Sequence, residues 1–267
     1  MIAARTSSRR SSPSAVIRPR IGTSGWSYPE WKDGFYAGVP RRRWLEHYAS
    51  TFDAVEINAT FYHTLRLTTL EAWRERTPPE FRFCIKASRY ITHIQRLDAT
   101  EDSLSRLHAQ AGALGNKLAV VLWQMPQGLH RDLGLFERFA RRLDHWTGVR
   151  HAAEFCHPSW FDGEVARCLS AHRIAAVQSH AADWPMWDAV TTDLSYVRLH
   201  GGVRTYQSVY STGTLTRWSD RVGKWLAEGR QVHVYFDNTA SGHAVRNAMA
   251  LARLWCKDEG RRMKDEG

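Results

Sequence analysis

Apolar residues in this chain come in short runs, and most runs stop at a polar or charged residue. At Ala152-Ala153-Glu154 an apolar stretch rises to a carboxylate, and Phe155-Cys156-His157-Pro158-Ser159-Trp160 follows at once. That pattern predicts a buried strand that delivers an acid to a loop. Comparable runs occupy 20–25, 54–58, 81–86, 118–124, 174–178, 195–200 and 231–236. At 54–58, alternation puts Glu56 and Asn58 on one face and Val55 and Ile57 on the other. The run 118–124 is almost wholly apolar, as a strand buried on both faces should be. Between the runs, helical spacing recurs over 40–49, 70–76, 103–114, 135–143, 164–172, 215–228 and 243–256. Pro40 suits the start of a helix and Gly115 the end of one. Segments 59–63 and 89–93 read as loops. The connection after the sixth run, through His180 and Trp184-Pro185-Met186-Trp187, has no well-marked helix.

Eight strands alternating with helices in 267 residues predict an α/β chain with a single TIM-barrel-like (β/α)8 domain, an irregular segment standing in for the helix after strand six. A doubly wound open sheet is the runner-up. It needs a glycine-rich phosphate loop in the first strand–helix turn, and Gly22-Thr23-Ser24-Gly25 lacks that spacing, so there is no dinucleotide fingerprint. The expected division is a basic tail over 1–19, the barrel over 20–256 and a charged C-terminal tail over 257–267. Residues 1–17, rich in Ser and Arg and poor in apolar side chains, read as disordered.

Charge adds a bias toward anionic partners. The formal net charge is +10, and Arg5, Arg9, Arg10, Arg18 and Arg20 supply half of it. A small anionic molecule or nucleic acid is the expected partner class. No apolar run reaches membrane-span length, and no secretory pattern is present, so no membrane partner is expected. The first twenty residues are Arg-rich and acid-poor like a transit peptide but lack a clear amphipathic face. Cys84, Cys156, Cys168 and Cys256 lie far apart with no C-x-x-C pair, which fits a reducing cytoplasm rather than a disulfide or zinc framework.

Barrels of this kind carry their chemistry at the C-terminal ends of strands. Those ends here offer Glu56, Asn58, Lys86, Gln124, Glu154, Gln178, Arg198, His200, Asp237 and Asn238. Acids, a lysine and an arginine gathered at one rim must pair or stand desolvated, which displaces their pKa values and suits acid–base work. The candidate catalytic residues are Glu154 as general acid or base, Glu56 as its partner carboxylate, and Lys86. Arg198 and Lys86 are expected to steady negative charge or hold an anionic group. His200, Trp26, Asn58, Tyr62, His93, Gln124, His157, Trp160, Asp237 and Asn238 complete the candidate ligand-binding set. Each has a plainer reading: a Glu154–Arg198 ion pair fixing the barrel, core amides at Asn58 and Gln124, helix caps at Asp237 and Asn238, loop-core aromatics elsewhere. Glu56, Glu154, His157, His180, His200 and Asp237 are of metal-ligating type, but no H-x-H or H-E-x-x-H spacing occurs, and no metal or other cofactor is assigned. The expected activity is that of a hydrolase or lyase on a polar anionic substrate, phosphorylated or nucleotide-like. The alternatives are a non-catalytic nucleic-acid-binding protein and, by analogy with barrel nucleases, a metal-dependent phosphodiesterase.

Several motifs in order resemble one family over residues 20–256. They are Gly22-Thr23-Ser24-Gly25-Trp26-Ser27-Tyr28, Val55-Glu56-Ile57-Asn58-Ala59-Thr60-Phe61-Tyr62, Phe83-Cys84-Ile85-Lys86-Ala87 with Ile91-Thr92-His93, Glu154-Phe155-Cys156-His157-Pro158-Ser159-Trp160, Val197-Arg198-Leu199-His200-Gly201 and Tyr235-Phe236-Asp237-Asn238. Together they resemble the YecE-like family, domain of unknown function 72. The resemblance implies a TIM-barrel-like fold and carries no reaction with it. Two positions depart from the family pattern. Cys156 stands where an arginine is usual, and the eighth strand ends Asp237-Asn238-Thr239 where two asparagines and an aspartate are usual.

Overall fold

Period-two alternation sorts the strand residues into two populations that face opposite ways. The computed structural model describes residues 18–265, so the reading of 1–17 as disordered lies outside the described residues. Eight parallel strands pair in the order β1, β8, β7, β6, β5, β4, β3, β2. They are β1 (Arg20–Thr23), β2 (Ala54–Ile57), β3 (Arg82–Lys86), β4 (Leu118–Gln124), β5 (Arg150–Glu154), β6 (Ile174–Ala181), β7 (Leu194–Gly201) and β8 (Gln231–Phe236). Val55, Ile57, Phe83, Ile85, Val121, Trp123, Val197, Leu199, Val234 and Phe236 join the large outer core beneath the helices. Cys84, Val120, Leu122, Ala152, Ala175, Val177, Tyr196 and Tyr235 form a separate inner core. The helices are α1 (Trp44–Thr51), α2 (Ala59–Tyr62), α3 (Leu67–Glu75), α4 (Glu101–Ala113), α5 (Leu133–Leu143), α6 (Gly163–Ala171), α7 (Thr212–Ala227) and α8 (His243–Asp265).

The barrel closes between β1 and β2 through a tyrosine hydroxyl rather than a full backbone ladder. One bridge joins Ser24 to Glu56, and Gly25 N–H donates to Glu56 O at 2.7 Å. Below it, Tyr48 Oη accepts from Thr23 N–H at 2.9 Å and donates to Ala54 O at 3.2 Å. Gly22 permits this approach, because a Cβ there would lie 2.1 Å from Ala54 O. Tyr48→Phe is therefore expected to leave a buried donor and a buried acceptor unpaired and to cost about 1–3 kcal/mol in chemical denaturation. An unchanged midpoint would show that β1 and β2 pair without the hydroxyl.

No helix fills the connection from β6 to β7. Its packing comes from side chains instead. Thr191 Oγ1 accepts from Ala176 N–H at 2.9 Å and donates to Ile174 O at 2.7 Å, and Gln178 Nε2 donates to Ala189 O at 2.5 Å. Three expectations need correction. Residues 59–62 form the short helix α2, and Tyr90–Ile94 forms a π-helical turn, where loops were expected. The last helix does not stop at Cys256 but runs to Asp265. The polar composition of 257–265 removes the packing signal without removing helix propensity. Among the described residues, no helix is long and apolar enough to cross a membrane.

Candidate active site at the barrel mouth

The C-terminal ends of the inward-facing strand positions converge on Arg198. Its Nε and Nη2 donate to the two oxygens of Glu56 at 3.0 and 2.7 Å, its Nη1 donates to Glu154 Oε2 at 2.6 Å, and Nη2 also reaches Asp237 Oδ2 at 3.1 Å. Arg198, Glu56 and Glu154 are fully enclosed. The carboxylates are further supported. Glu56 accepts from Ser24 Oγ at 2.6 Å and Tyr196 Oη at 2.8 Å. Glu154 accepts from Ser179 Oγ at 2.6 Å and Gln124 Nε2 at 2.7 Å. His200 Nε2 lies 2.8 Å from Glu154 Oε1. Its Nδ1 is 3.0 Å from Asp237 Oδ2, within ion-pair range though the geometry falls short of a hydrogen bond. Such a cluster is tolerable inside a barrel because each carboxylate meets a cation at close range and nearly every lone pair is met.

Electrostatics shifts the titration of Glu154, Asp237 and His200 in opposite directions. Burial pushes the Glu154 carboxyl up, but Arg198 and then His200 outweigh it and hold it well below the usual range. Asp237 is likewise held down by Arg198 and His200 against burial. Burial and Arg198 push His200 down, yet Glu154 and Asp237 outweigh them and raise it. The raised histidine contributes stability in full below its ordinary 6.5 and loses it as pH rises through the higher folded value. The depressed acids contribute above their ordinary 4.5 and 3.8 and lose it as pH falls through the lower folded values. The urea midpoint should therefore be broad between these limits and fall on both sides. His200→Gln should flatten the alkaline fall. That comparison isolates the histidine from Lys86, whose depressed pKa makes stability rise with pH. An alkaline fall that persists in His200→Gln would contradict the assignment.

Lys86 stands apart from the hub. It is 8% exposed, and its Nζ lies 4.0 Å from the Phe61 ring centroid. No oxygen of the described residues is within hydrogen-bond or ion-pair reach of it. The contrast is Lys117, equally buried, whose Nζ donates to Arg74 O, Thr77 O and Thr77 Oγ1 at 2.5, 2.6 and 3.1 Å. Burial first, and Arg198 next, lower the pKa of Lys86, against the pull of Asp237, Glu154 and Glu56. His93 packs edge-on against Phe61 at 5.1 Å, and burial followed by Lys86 pushes it down to about 4, so it is neutral at pH 7.

A cavity of about 300 Å³ opens at this mouth, lined by His93, Gln124, Met125, Pro126, Gln127, Cys156, Asp183, Trp184 and Tyr206. Trp184 and Tyr206 set their rings edge-on to His200 at 5.1 and 5.6 Å. Burial pushes the Cys156 thiol up, so it stays protonated. A second cavity of about 230 Å³ is lined by Trp26, Tyr28, Asn58 and Trp73 among others, and Asn58 Oδ1 has no partner there.

The expected site residues thus divide. Glu56, Glu154, Arg198, His200, Asp237 and Gln124 come together, with Lys86 and His93 beside them. Arg198 meets the protein's own carboxylates rather than an open cavity. Trp26 and Asn58 line the neighbouring cavity. Tyr62 is exposed, outside both. His157 is not part of the hub: its Nδ1 caps a 3-10 turn with Ser159, and its ring lies on His130. Trp160 is fully buried in the outer core, stacked on Phe155, with Nε1 donating to Leu129 O. Asn238 is buried beside α8, its Nδ2 donating to Ser208 O and Asn247 Oδ1. Among the described residues no set of three His, Cys, Asp or Glu is arranged to hold a metal ion. Ser24, Ser179, Tyr196, Trp184 and Tyr206 were missed. Period two would have found Ser179: Ala175 and Val177 face inward, so Ser179 does, and Gln178 faces outward.

Comparison with known proteins agrees with this architecture. Residues 20–266 match the family described as Protein of unknown function DUF72. The UPF0759 protein YecE of Escherichia coli K12 is 30% identical over 153 residues, 56% of this chain and 53% of that protein. In that match the chain spans about half the length of its relative. The UPF0759 protein YunF of Bacillus subtilis 168 is 25% identical over 269 aligned residues, 88% of this chain and 93% of that protein. The crystal structure of a DUF72 family protein from Thermotoga maritima is similar in fold, with a TM-score of 0.79, 24% identity, and 88% of this chain and 98% of that chain covered. A match across nearly the whole described chain, carried on the same barrel, places this protein in the DUF72 family.

Proposed function

We propose that the protein is an acid–base enzyme, a lyase or hydrolase, acting on a small polar anionic substrate at the barrel mouth with Lys86 as its base. The observation that carries this reading is an almost buried lysine with no oxygen partner, set beside a cluster of three carboxylates, an arginine and a histidine. A lysine whose pKa is lowered by burial is more readily unprotonated, the form that can take a proton from a substrate C–H or O–H. The ammonium it becomes is then stabilised by the nearby charges of Asp237, Glu154 and Glu56. Glu154, Glu56 and Arg198 act through position: their hydrogen bonds fix the wall of the mouth and the field at Lys86. Neutral His93 and the Gln124 amide offer polar contacts on the cavity wall. Arg198 has its donors committed to carboxylates, so the anionic part of the substrate falls to exposed rim arginines such as Arg89 and Arg204.

The test is consumption of metabolites from a polar cell extract, followed by mass spectrometry, with wild type and Lys86→Met in parallel. A compound consumed by the wild type and spared by the variant is expected. Equal consumption, or none by either protein, would contradict the reading.

A further inference from the structure

Six large apolar side chains stand exposed around the mouth: Tyr62, Tyr90, Ile94, Val203, Tyr206 and Val209. They form two tracts, one after β2 and β3 and one after β7. His93 of the first and Tyr206 of the second both line the 300 Å³ cavity, which therefore lies between them. Tyr206 is held on display. It is 45% exposed at φ 65°, a region that strains a bulky residue. Its N–H donates to His200 O, and its ring edge rests on the His200 imidazole. An arginine accompanies each tract. Arg89 precedes Tyr90, and Arg204 lies two residues before Tyr206. Both are exposed, and neither guanidinium has an acceptor or carboxylate partner among the described residues.

We infer that the barrel mouth binds single-stranded nucleic acid, with bases stacked on Tyr90 and Tyr206, phosphates met by Arg89 and Arg204, and one nucleotide seated in the cavity between the tracts. Exposed aromatic faces interleaved with unpaired arginines on a chain of net charge +10 suit a polyanion that carries flat rings. A duplex hides those rings in its own stack. The cavity is at the small end of ligand pockets and suits one base or sugar. The inference rests on the proposed function only for what happens to the seated nucleotide.

The test is fluorescence anisotropy of labelled oligo(dT) and oligo(rU) of about twelve nucleotides, with a duplex of equal length, over a salt series. The proteins are the full chain, Tyr90→Ala with Tyr206→Ala, and Arg89→Ala with Arg204→Ala, each checked for fold by circular dichroism. Single strands should bind more tightly than the duplex. The tyrosine pair should weaken strand binding by at least about tenfold, and the arginine pair should weaken it while lowering the salt slope by roughly one to two. No strand binding at low salt would overturn the inference and leave the rim to a protein partner. Strand binding that is equal in all three proteins would also overturn it, moving the contact to another basic surface such as the arginine-rich first twenty residues. Anisotropy and Lys86-dependent turnover are read separately, so either can fail while the other stands.

Discussion

Arg198→Met is expected to destabilise the protein by at least about 3–5 kcal/mol, because removing one partner of a buried ion cluster leaves the others uncompensated. Three carboxylates face that guanidinium: Glu56, Glu154 and Asp237. Glu56 and Glu154 are fully buried and cannot turn to water without opening the barrel. The pH dependence should reverse as well. In the wild type the depressed acids make stability fall as pH falls. Without Arg198 the same carboxyls are raised by burial, the folded state binds more protons than the unfolded state, and stability should rise as pH falls toward about 5. Urea denaturation of both proteins at two pH values reads this directly. A variant as stable as wild type at pH 7, or one that weakens further in acid, would mean that the cluster is not the centre of the barrel's electrostatics.

Lys86→Met should separate function from folding. The side chain is largely buried and contributes no hydrogen bond to an oxygen of the described residues, so its loss removes a cost as well as the contact with Phe61. Methionine fills the same volume and can rest on the same ring. Stability should therefore stay within about 1 kcal/mol of wild type or rise. Turnover of the substrate found by metabolite consumption should fall by roughly 10²–10⁴-fold, the usual contribution of a general base. A stable variant with full turnover would remove Lys86 from the chemistry. A variant that unfolds would show the ammonium to be structural, as Lys117 is with its three oxygen contacts.

The sequence carried the strands well because burial on two faces leaves apolar runs that stop where the chemistry begins. The ends at Lys86, Gln124 and Phe236 fell where expected, since each is followed at once by a change of polarity. Position 154 was readable for the same reason. The division of labour was not. Nothing in the spacing of Glu56, Glu154 and Asp237 says that all three turn onto one arginine, because that depends on strand register across the barrel. The register pairs Gln124 with Glu154 and Ser179 with Arg198. His157, Trp160 and Asn238 carry the residue types of a binding site, yet loop geometry spends them on a cap, the outer core and α8. The barrel closure was invisible for a further reason: below a single backbone bridge, a tyrosine from α1 joins the two strands.

The most direct test of the account is the titration of Lys86 itself. The chain has six lysines, few enough for carbon-13 labelling and nuclear magnetic resonance to follow each side chain, with Lys86 assigned by the signal missing from Lys86→Met. The account predicts that Lys86 titrates clearly below the ordinary lysine value of 10.5, because burial and Arg198 outweigh the carboxylates. Titration at or above that value would show the carboxylates in command, with Lys86 a fixed cation and no base.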